Sequence, residues 1–168
     1  MQLKEIRMKN KILLSLCFII GTSYPVITVA DMKAEDAIKF RQSAMMFMRW
    51  NMGKIKKQVV KKPETYNKQQ VIDAANVISA IANSGLGALF PSNTEKGKGW
   101  KETKIKPDFF EQPEEVKKRA TKFNKEANKL AEIANSGNVS HIAEQFDATL
   151  KACKGCHKKF RKKNKKKN

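Results

Sequence analysis

Three chemically reactive side chains lie together near the C-terminus, in the segment Cys153-Lys154-Gly155-Cys156-His157. The pattern C-x-x-C-H is the attachment sequence of c-type heme, in which two thiols add across the porphyrin vinyl groups and the histidine binds the iron. On a helix these positions are i, i+3 and i+4, so the two thiols and the imidazole face one way. The motif therefore predicts one covalent heme c, attached through Cys153 and Cys156, with His157 as an axial iron ligand.

Two other uses of these thiols remain open. A zinc site needs four ligands, and the remaining usual candidate, His141, lies about four turns from His157 on the same predicted helix. A thioredoxin-like dithiol needs a βαβ context, and the sequence has no such pattern. Both alternatives are weaker than heme attachment.

The first thirty residues are a different kind of sequence. Basic residues precede an apolar run over 12–20, and small residues follow up to Ala30, a pattern typical of a secretory signal peptide. The run is short for a membrane span, which needs about 20 residues, although an uncleaved N-terminal anchor is the alternative. We expect a signal peptide over 1–30, a heme domain over 31–162 and a basic tail over 163–168, with export to the periplasm.

The chain has 168 residues and carries 35 Lys and Arg against 16 Asp and Glu, a formal net charge of +19. This excess suggests nucleic acid, an anionic membrane or an acidic protein as partner. Export argues against nucleic acid. Eight basic residues and no acid follow His157, so we expect an acidic redox partner, or else an anionic membrane surface, near the motif.

After residue 31 the apolar residues follow helical spacing, not alternate-residue spacing. The first stripe ends before Pro63, the second runs through Leu89, the third lies between Pro113 and Gly137, and the fourth begins at a predicted N-cap, Ser140. Four stripes with three connections predict an all-α protein, an antiparallel four-helix bundle.

Arg41 interrupts the apolar stripe of the first helix. A buried arginine is costly unless it is paired, and an anionic group of suitable geometry would pair with it. The alternative is that its stem covers apolar surface at the edge of the stripe while the charge reaches solvent.

Together these motifs resemble the class II c-type cytochromes, the cytochrome c′ family. The heme motif lies on the last helix, near the C-terminus, and the resemblance covers nearly all of 31–162. The matching stretches are Arg41-Gln42-Ser43-Ala44-Met45 (the family's Arg-Gln-x-x-Met/Leu), residues 89–91 (Phe-Pro), residues 103–110 (Thr-x-x-x-Pro-x-x-aromatic) and Cys153 to Arg161 (C-x-x-C-H-x-x-aromatic-Arg).

The resemblance implies an antiparallel four-helix bundle, one covalent heme, a periplasmic location and frequent homodimers. It implies that His157 is the proximal ligand, that Arg41 lies close to a heme propionate and that Arg161 is a basic residue beside the proximal histidine. It also places Met45 on the distal side of the heme, although Met48 and Met52 share the same apolar stripe.

The sixth iron position leaves two functions open. Ligation by Met45 would give a low-spin electron carrier, and the Phe-Pro and Lys-Pro stretches look most like that branch of the family. An unbound Met45 would leave a five-coordinate heme that binds nitric oxide or carbon monoxide. We expect His157/Met45 coordination and electron transfer, with gas binding as the alternative and an exported binding protein with an incidental motif as a third hypothesis. No paired carboxylates or nucleophile–base pair are visible, so we expect no enzyme.

Overall fold

The computed structural model describes residues 32–163; the predicted signal peptide and residues 164–168 of the predicted tail lie outside the described residues. Four long helices dominate the described part: α1 (Ala34–Lys56), α2 (Lys68–Ala82), α3 (Pro113–Ser136) and α4 (Val139–Phe160). Between residues 32 and 163 no strand forms, only two isolated antiparallel bridges. The prediction of an all-α four-helix bundle is confirmed.

Shorter helical pieces connect the long helices. A π-helical turn, Lys57–Lys61, extends α1, and the 3-10 turn Pro63–Thr65 follows it, so the first helix ends before Pro63 as predicted. The 3-10 turn Leu86–Leu89 and the short helix Asp108–Glu111 lie in the long connection between α2 and α3. Within the described part of the chain, no helix has the length and apolar character needed to cross a bilayer.

The core runs along the bundle axis, where every long helix contributes fully buried aliphatic side chains. The largest are Ile38 and Ile55 of α1, Ile78 of α2, Leu130 of α3 and Ile142 of α4. Helix α1 packs on α2, α2 on α3 and α3 on α4, whereas contact between α1 and α4 is the weakest of these neighbouring pairs. The least closely packed side of the bundle therefore lies between the two helices that carry the predicted heme-binding residues.

Helix ends follow the expected chemistry in two places and depart from it in two. Pro113 begins α3, and Gly137 ends it in the left-handed region at φ 77°. The second helix ends at Ala82 instead of running through Leu89, because Gly85 turns the backbone at φ 76°. Ser140 is not the N-cap of α4: the side chain of Asn138 accepts the hydrogen bond from the backbone N–H of His141 at 3.0 Å, and Ser140 already lies inside the first turn.

The long connection is held against α1. The side chain of Gln42 donates to the carbonyl of Lys101 at 2.8 Å and accepts from its backbone N–H at 3.1 Å. Gly99 lies so close to α1 that a Cβ atom there would stand 2.7 Å from a backbone nitrogen of the helix. A side chain at this position would have to push the connection away from α1.

The next part of the connection pairs with the end of α4. The backbone N–H of Lys106 donates to the carbonyl of Phe160 at 2.9 Å, and that of Lys162 donates to the carbonyl of Lys104 at 2.7 Å. Ile105 and Arg161 form the antiparallel bridge between these bonds. We call residues 104–106 and 160–162 the loop–terminus pair; it fastens the connection directly beyond the C-x-x-C-H motif.

Candidate heme site

The motif lies in the last two turns of α4. Cys153 and Cys156 are free thiols and half-buried, while His157 is exposed overall and the helix ends three residues later at Phe160. As the spacing predicts, both thiols and the imidazole belong to one side of the helix. This side continues the line of apolar residues that α4 presents to the core, including buried Phe146.

Burial governs the protonation of these groups before a heme is attached. It raises the pKa of the Cys153 thiol to about 11 and also raises that of Cys156, where the charge of Arg119 acts in the opposite direction. Desolvation, and then the positive charge of Arg161, lower the pKa of the His157 imidazole. In the heme-free protein both thiols are therefore protonated at neutral pH, and the imidazole is shifted toward the neutral form that binds iron.

Arg41 is buried, at 3% exposure, and does not reach solvent from the edge of the stripe. Its Nη1 donates to the carbonyl of Leu89 at 3.2 Å and to Oγ1 of Thr94 at 2.7 Å, while Nη2 donates to the carbonyl of Thr94 at 2.5 Å and to Oγ1 of Thr103 at 2.9 Å. Burial lowers the pKa of Arg41 to about 10, so it stays charged at neutral pH. All four acceptors are neutral oxygens of the long connection, and none supplies a countercharge.

An aromatic cluster links this arginine to the end of α4. The guanidinium carbon of Arg41 lies 4.9 Å from the ring centroid of Phe90, which stacks on Phe109 at 4.8 Å. Phe109 in turn meets Phe160 edge-on at 5.6 Å between centroids. Arg41 and the C-terminal turn of α4 therefore lie at the same end of the bundle, which brings two parts of the predicted site together.

The structure places Met45 one helical turn beyond Arg41. Of the three methionines on the predicted stripe it is the most exposed, at 37%, whereas Met48 is buried at 7% and Met52 is half-buried. Met46 is 64% exposed, consistent with its place off the stripe. The thioether of Met45 is thus the least enclosed by protein of the candidate distal side chains.

Arg161 is exposed and directly follows α4, where its backbone N–H donates to the carbonyl of His157 at 3.1 Å. After burial, which is the larger cause, the charge of Arg161 also lowers the pKa of the His157 imidazole. It therefore lies beside the predicted proximal ligand, and the loop–terminus pair holds its backbone in place.

Sequence reasoning missed Arg119, on α3. Its Nη1 donates to the carbonyl of Gly155, inside the motif, at 2.8 Å. Its Nε and Nη2 lie 2.7 and 2.6 Å from Oε1 of Glu115. The one sequence signal was the Glu-Arg pair at i and i+4, which also occurs on many surface helices and does not indicate a contact with the motif.

The donor set fits a heme better than a bare metal ion. Two thiols and one imidazole on one helix face supply two thioether positions and one axial nitrogen. Within residues 32–163, no three His, Cys, Asp or Glu side chains converge to hold an ion. His141 lies at the opposite end of α4 from His157, so the zinc alternative lacks its fourth ligand in this part of the chain.

Comparison with known proteins points to one family. A sequence model described as Cytochrome C′ matches residues 36–161. The cytochrome c′ of Rhodocyclus tenuis is 48% identical over 132 residues, which is 79% of this chain and 98% of that protein, and the cytochrome c′ of Allochromatium vinosum is 46% identical over 79% of this chain and 84% of that protein.

Solved structures agree. A cytochrome c′ with an unusual ligand-controlled dimer dissociation superposes with a TM-score of 0.75 at 46% identity, covering 80% of this chain and 100% of the other. Variants of the cytochrome c prime of Alcaligenes xylosoxidans, one in complex with nitric oxide and one with carbon monoxide bound, are 28% identical, with a TM-score of 0.68 over 78% of this chain and 98% of theirs. These matches do not support an assignment to the methionine-ligated, low-spin branch.

Proposed function

The chain belongs to the cytochrome c′ family, whose members carry one covalent heme c, and we propose that this member binds nitric oxide or carbon monoxide on a five-coordinate heme iron in the periplasm. When bound, the heme would supply an iron able to take up a diatomic gas. The protein supplies attachment, the proximal ligand and control of access. We propose no enzymatic activity.

Attachment falls to the motif on α4. Cys153 and Cys156 form the two thioethers, and His157 binds the iron from the proximal side. The free, half-buried state of both thiols and the position of all three groups on one helix face support this assignment.

Arg41 and Arg161 are the proposed partners of the heme propionates. The argument for Arg41 is that it lacks a countercharge within residues 32–163: its guanidinium, at 3% exposure, is bonded there to neutral oxygens of Leu89, Thr94 and Thr103. A buried cation without an anion is unfavourable, and a carboxylate of the heme would correct this. Arg161 would act from the exposed end of α4, beside His157.

Whether Met45 binds the iron decides between electron transfer and gas binding, the two functions that the sequence left open. The family comparisons do not support methionine ligation, and solved relatives hold nitric oxide or carbon monoxide; this observation carries the proposal. We therefore replace the His157/Met45 coordination expected from the sequence with His157 alone. Met45 then borders the distal position, where its flexible thioether limits the space for a ligand.

Absorption spectra of the purified holoprotein test this function. We expect a high-spin ferric spectrum without a thioether-to-iron band, and a large change when carbon monoxide is added to the reduced protein. A low-spin ferric spectrum with no response to carbon monoxide would restore Met45 as the sixth ligand.

Electron transfer is the second candidate, because the structure gathers positive charge at the heme end. The loop–terminus pair brings two lysine-containing segments together, and neither contains an acid. We call the combined surface the basic edge; it consists of Lys104, Lys106, Lys158, Lys159, Arg161 and Lys162. An acidic redox protein is the proposed partner. Binding to anionic lipid vesicles without binding to acidic proteins would point to a membrane surface instead.

We also propose a homodimer formed through α1. A groove of about 740 Å³ is lined by Ser43, Ala44 and the exposed Met46, Phe47 and Trp50 of α1, together with Ile81 of α2. Phe47 and Trp50 stack at 5.5 Å between ring centroids. Exposed apolar surface of this kind favours association, and one solved relative is a dimer that dissociates under ligand control.

A further inference from the structure

Arg119 makes a contact that the proposed heme chemistry does not yet use. It lies on α3, half-buried, and its Nη1 donates to the carbonyl oxygen of Gly155 on α4 at 2.8 Å. Gly155 precedes Cys156 directly and stands two residues before His157. The hydrogen bond therefore joins a neighbouring helix to the peptide unit between the two attachment cysteines.

Two features hold the guanidinium in this place. Glu115, one turn earlier on α3, accepts from Nε and Nη2 at 2.7 and 2.6 Å, which fixes the plane of the guanidinium. The glycine at 155 leaves room: a Cβ atom there would stand 3.3 Å from Nη1, a tight contact. Arg119, Glu115 and Gly155 thus form one arrangement in which the positive group faces the motif and the negative group stands behind it.

We propose that Arg119 is a positioning residue for the proximal side of the heme, which holds the C-x-x-C-H turn through Gly155 and raises the heme reduction potential by its charge. The proposal rests on heme attachment at Cys153 and Cys156. Reduction adds one electron to the heme, and a nearby positive charge stabilises the reduced form. Glu115 has the opposite effect on the potential, although it also keeps Arg119 in place.

Because Arg119 and Glu115 carry opposite charges, the proposal predicts the direction of the shift in reduction potential for each variant, which packing alone does not. Arg119→Gln removes the positive charge and lowers the reduction potential. Glu115→Gln removes the negative charge while its amide oxygen can still accept from Arg119, and raises the potential. A merely structural pair predicts something else: Arg119→Gln removes the contact and Glu115→Gln weakens it, so both variants shift the potential in one direction or leave it unchanged.

The test is a spectroelectrochemical redox titration of the purified holoproteins. Heme per chain is measured first by mass spectrometry, so that a failure of heme attachment in the wild type, which would overturn the proposed function, is distinguished from a failure of this inference. Arg49→Gln, at an exposed arginine of α1, is the matched control and should leave the potential unchanged.

Opposite shifts for Arg119→Gln and Glu115→Gln, with Arg119→Lys between Arg119→Gln and the wild type, support the proposal. Shifts of the same sign, or no shift in either variant, overturn it. If Arg119→Gln yields too little heme to titrate, Glu115→Gln alone decides: a raised potential supports the proposal, and an unchanged or lowered one overturns it.

Discussion

The guanidinium Nη2 of Arg41 and the hydroxyl oxygen of Thr103 lie 2.9 Å apart, and this hydrogen bond joins the first long helix to the segment that pairs with the end of the last. Directly after Thr103, the backbone of residues 104–106 bonds to that of residues 160–162. Arg41 is therefore joined to the C-terminal end of α4 by this chain of backbone contacts as well as by the rings of Phe90, Phe109 and Phe160.

Replacing Arg41 by Met should lower the free energy of unfolding by about 3 kcal/mol or more, because four hydrogen bonds from a charged donor are lost and buried acceptors of the connection are left unpaired. Urea denaturation of the holoprotein measures the effect. Arg49→Met, on the exposed side of the same helix, is the control and should change stability by less than about 0.5 kcal/mol. A loss below about 1 kcal/mol for Arg41→Met would mean that these bonds contribute little.

Replacing both Cys153 and Cys156 by Ser should abolish covalent heme, because no thiol remains in the motif to form a thioether. Denaturing mass spectrometry of protein expressed with the heme-attachment machinery gives the result directly. Cys17→Ser is the control, since Cys17 lies within the predicted signal peptide, and should leave heme content unchanged. Covalent heme in the double variant would disprove attachment at this motif.

Shortening Met45 to Ala should raise the affinity of the reduced heme for carbon monoxide by about tenfold or more, equivalent to about 1.4 kcal/mol, because the side chain that limits the distal space is removed. Gas titration followed by absorption measures this affinity. Met46→Ala, at the adjacent but outward-facing position, should leave it unchanged. If Met45→Ala converts a low-spin ferric heme into a high-spin one, methionine ligation is correct and the five-coordinate proposal is wrong.

Reversing charge on the basic edge with Lys158→Glu and Lys162→Glu should slow reduction by the anionic complex of iron(II) with EDTA several-fold at low salt. The difference should vanish at about 0.5 M salt, because screening removes the attraction. Stopped-flow kinetics measures the rates, and reduction by the cationic hexaammineruthenium(II) should become faster.

Lys122→Glu with Lys129→Glu, at two exposed positions of α3, is the control of equal charge change. Equal reduction rates for both double variants would show that the net charge of the protein, and not the position of the charges on the basic edge, determines the rate. Removal of residues 163–168 tests the contribution of the predicted tail. We expect this removal to slow reduction by the anionic iron(II) complex at low salt. Tight binding to phosphatidylglycerol vesicles, without binding to acidic proteins, would favour a membrane surface as the partner.

Replacing Trp50 by Glu should convert the proposed homodimer into a monomer, because a carboxylate would enter the apolar groove on α1. Sedimentation velocity gives the mass in solution. Val60→Glu is the control, since Val60 is a similarly exposed apolar residue that does not line the groove. A dimer that survives Trp50→Glu would place the interface elsewhere.

The helices were predictable because their signals are local. Apolar spacing, Pro113 and Gly137 each act within one or two turns of their own position. The errors were local as well: Asn138 and Ser140 are both good N-cap residues, and Asn138 is favoured because its side chain reaches the N–H of His141. Likewise, Leu86–Leu89 continues an apolar stripe, but Gly85 redirects the backbone first.

The site was predictable only in part, because its contacts join residues far apart in the chain. The motif C-x-x-C-H by itself predicts heme attachment, and Arg41 was recognisable as a charged residue in an apolar stripe. Its partners Thr94 and Thr103 are ordinary threonines of an irregular connection, and nothing in their sequence neighbourhood indicates a guanidinium. The role of Arg119 could not be predicted from the sequence either. Its pairing with Glu115 is common on surface helices, and its hydrogen bond to Gly155 depends on how α3 packs against α4.

The loop–terminus pair also sets an order of events during folding. The bonds between residues 104–106 and 160–162 join two segments that α3 and α4 separate in the chain, so these bonds can close only when both segments are in place. Closing so large a loop costs chain entropy that must be recovered by contacts already in place. Closure of these bonds therefore fastens the segment beside Cys156 and His157 to the long connection, so that closing this loop and presenting the heme-binding groups are one structural event.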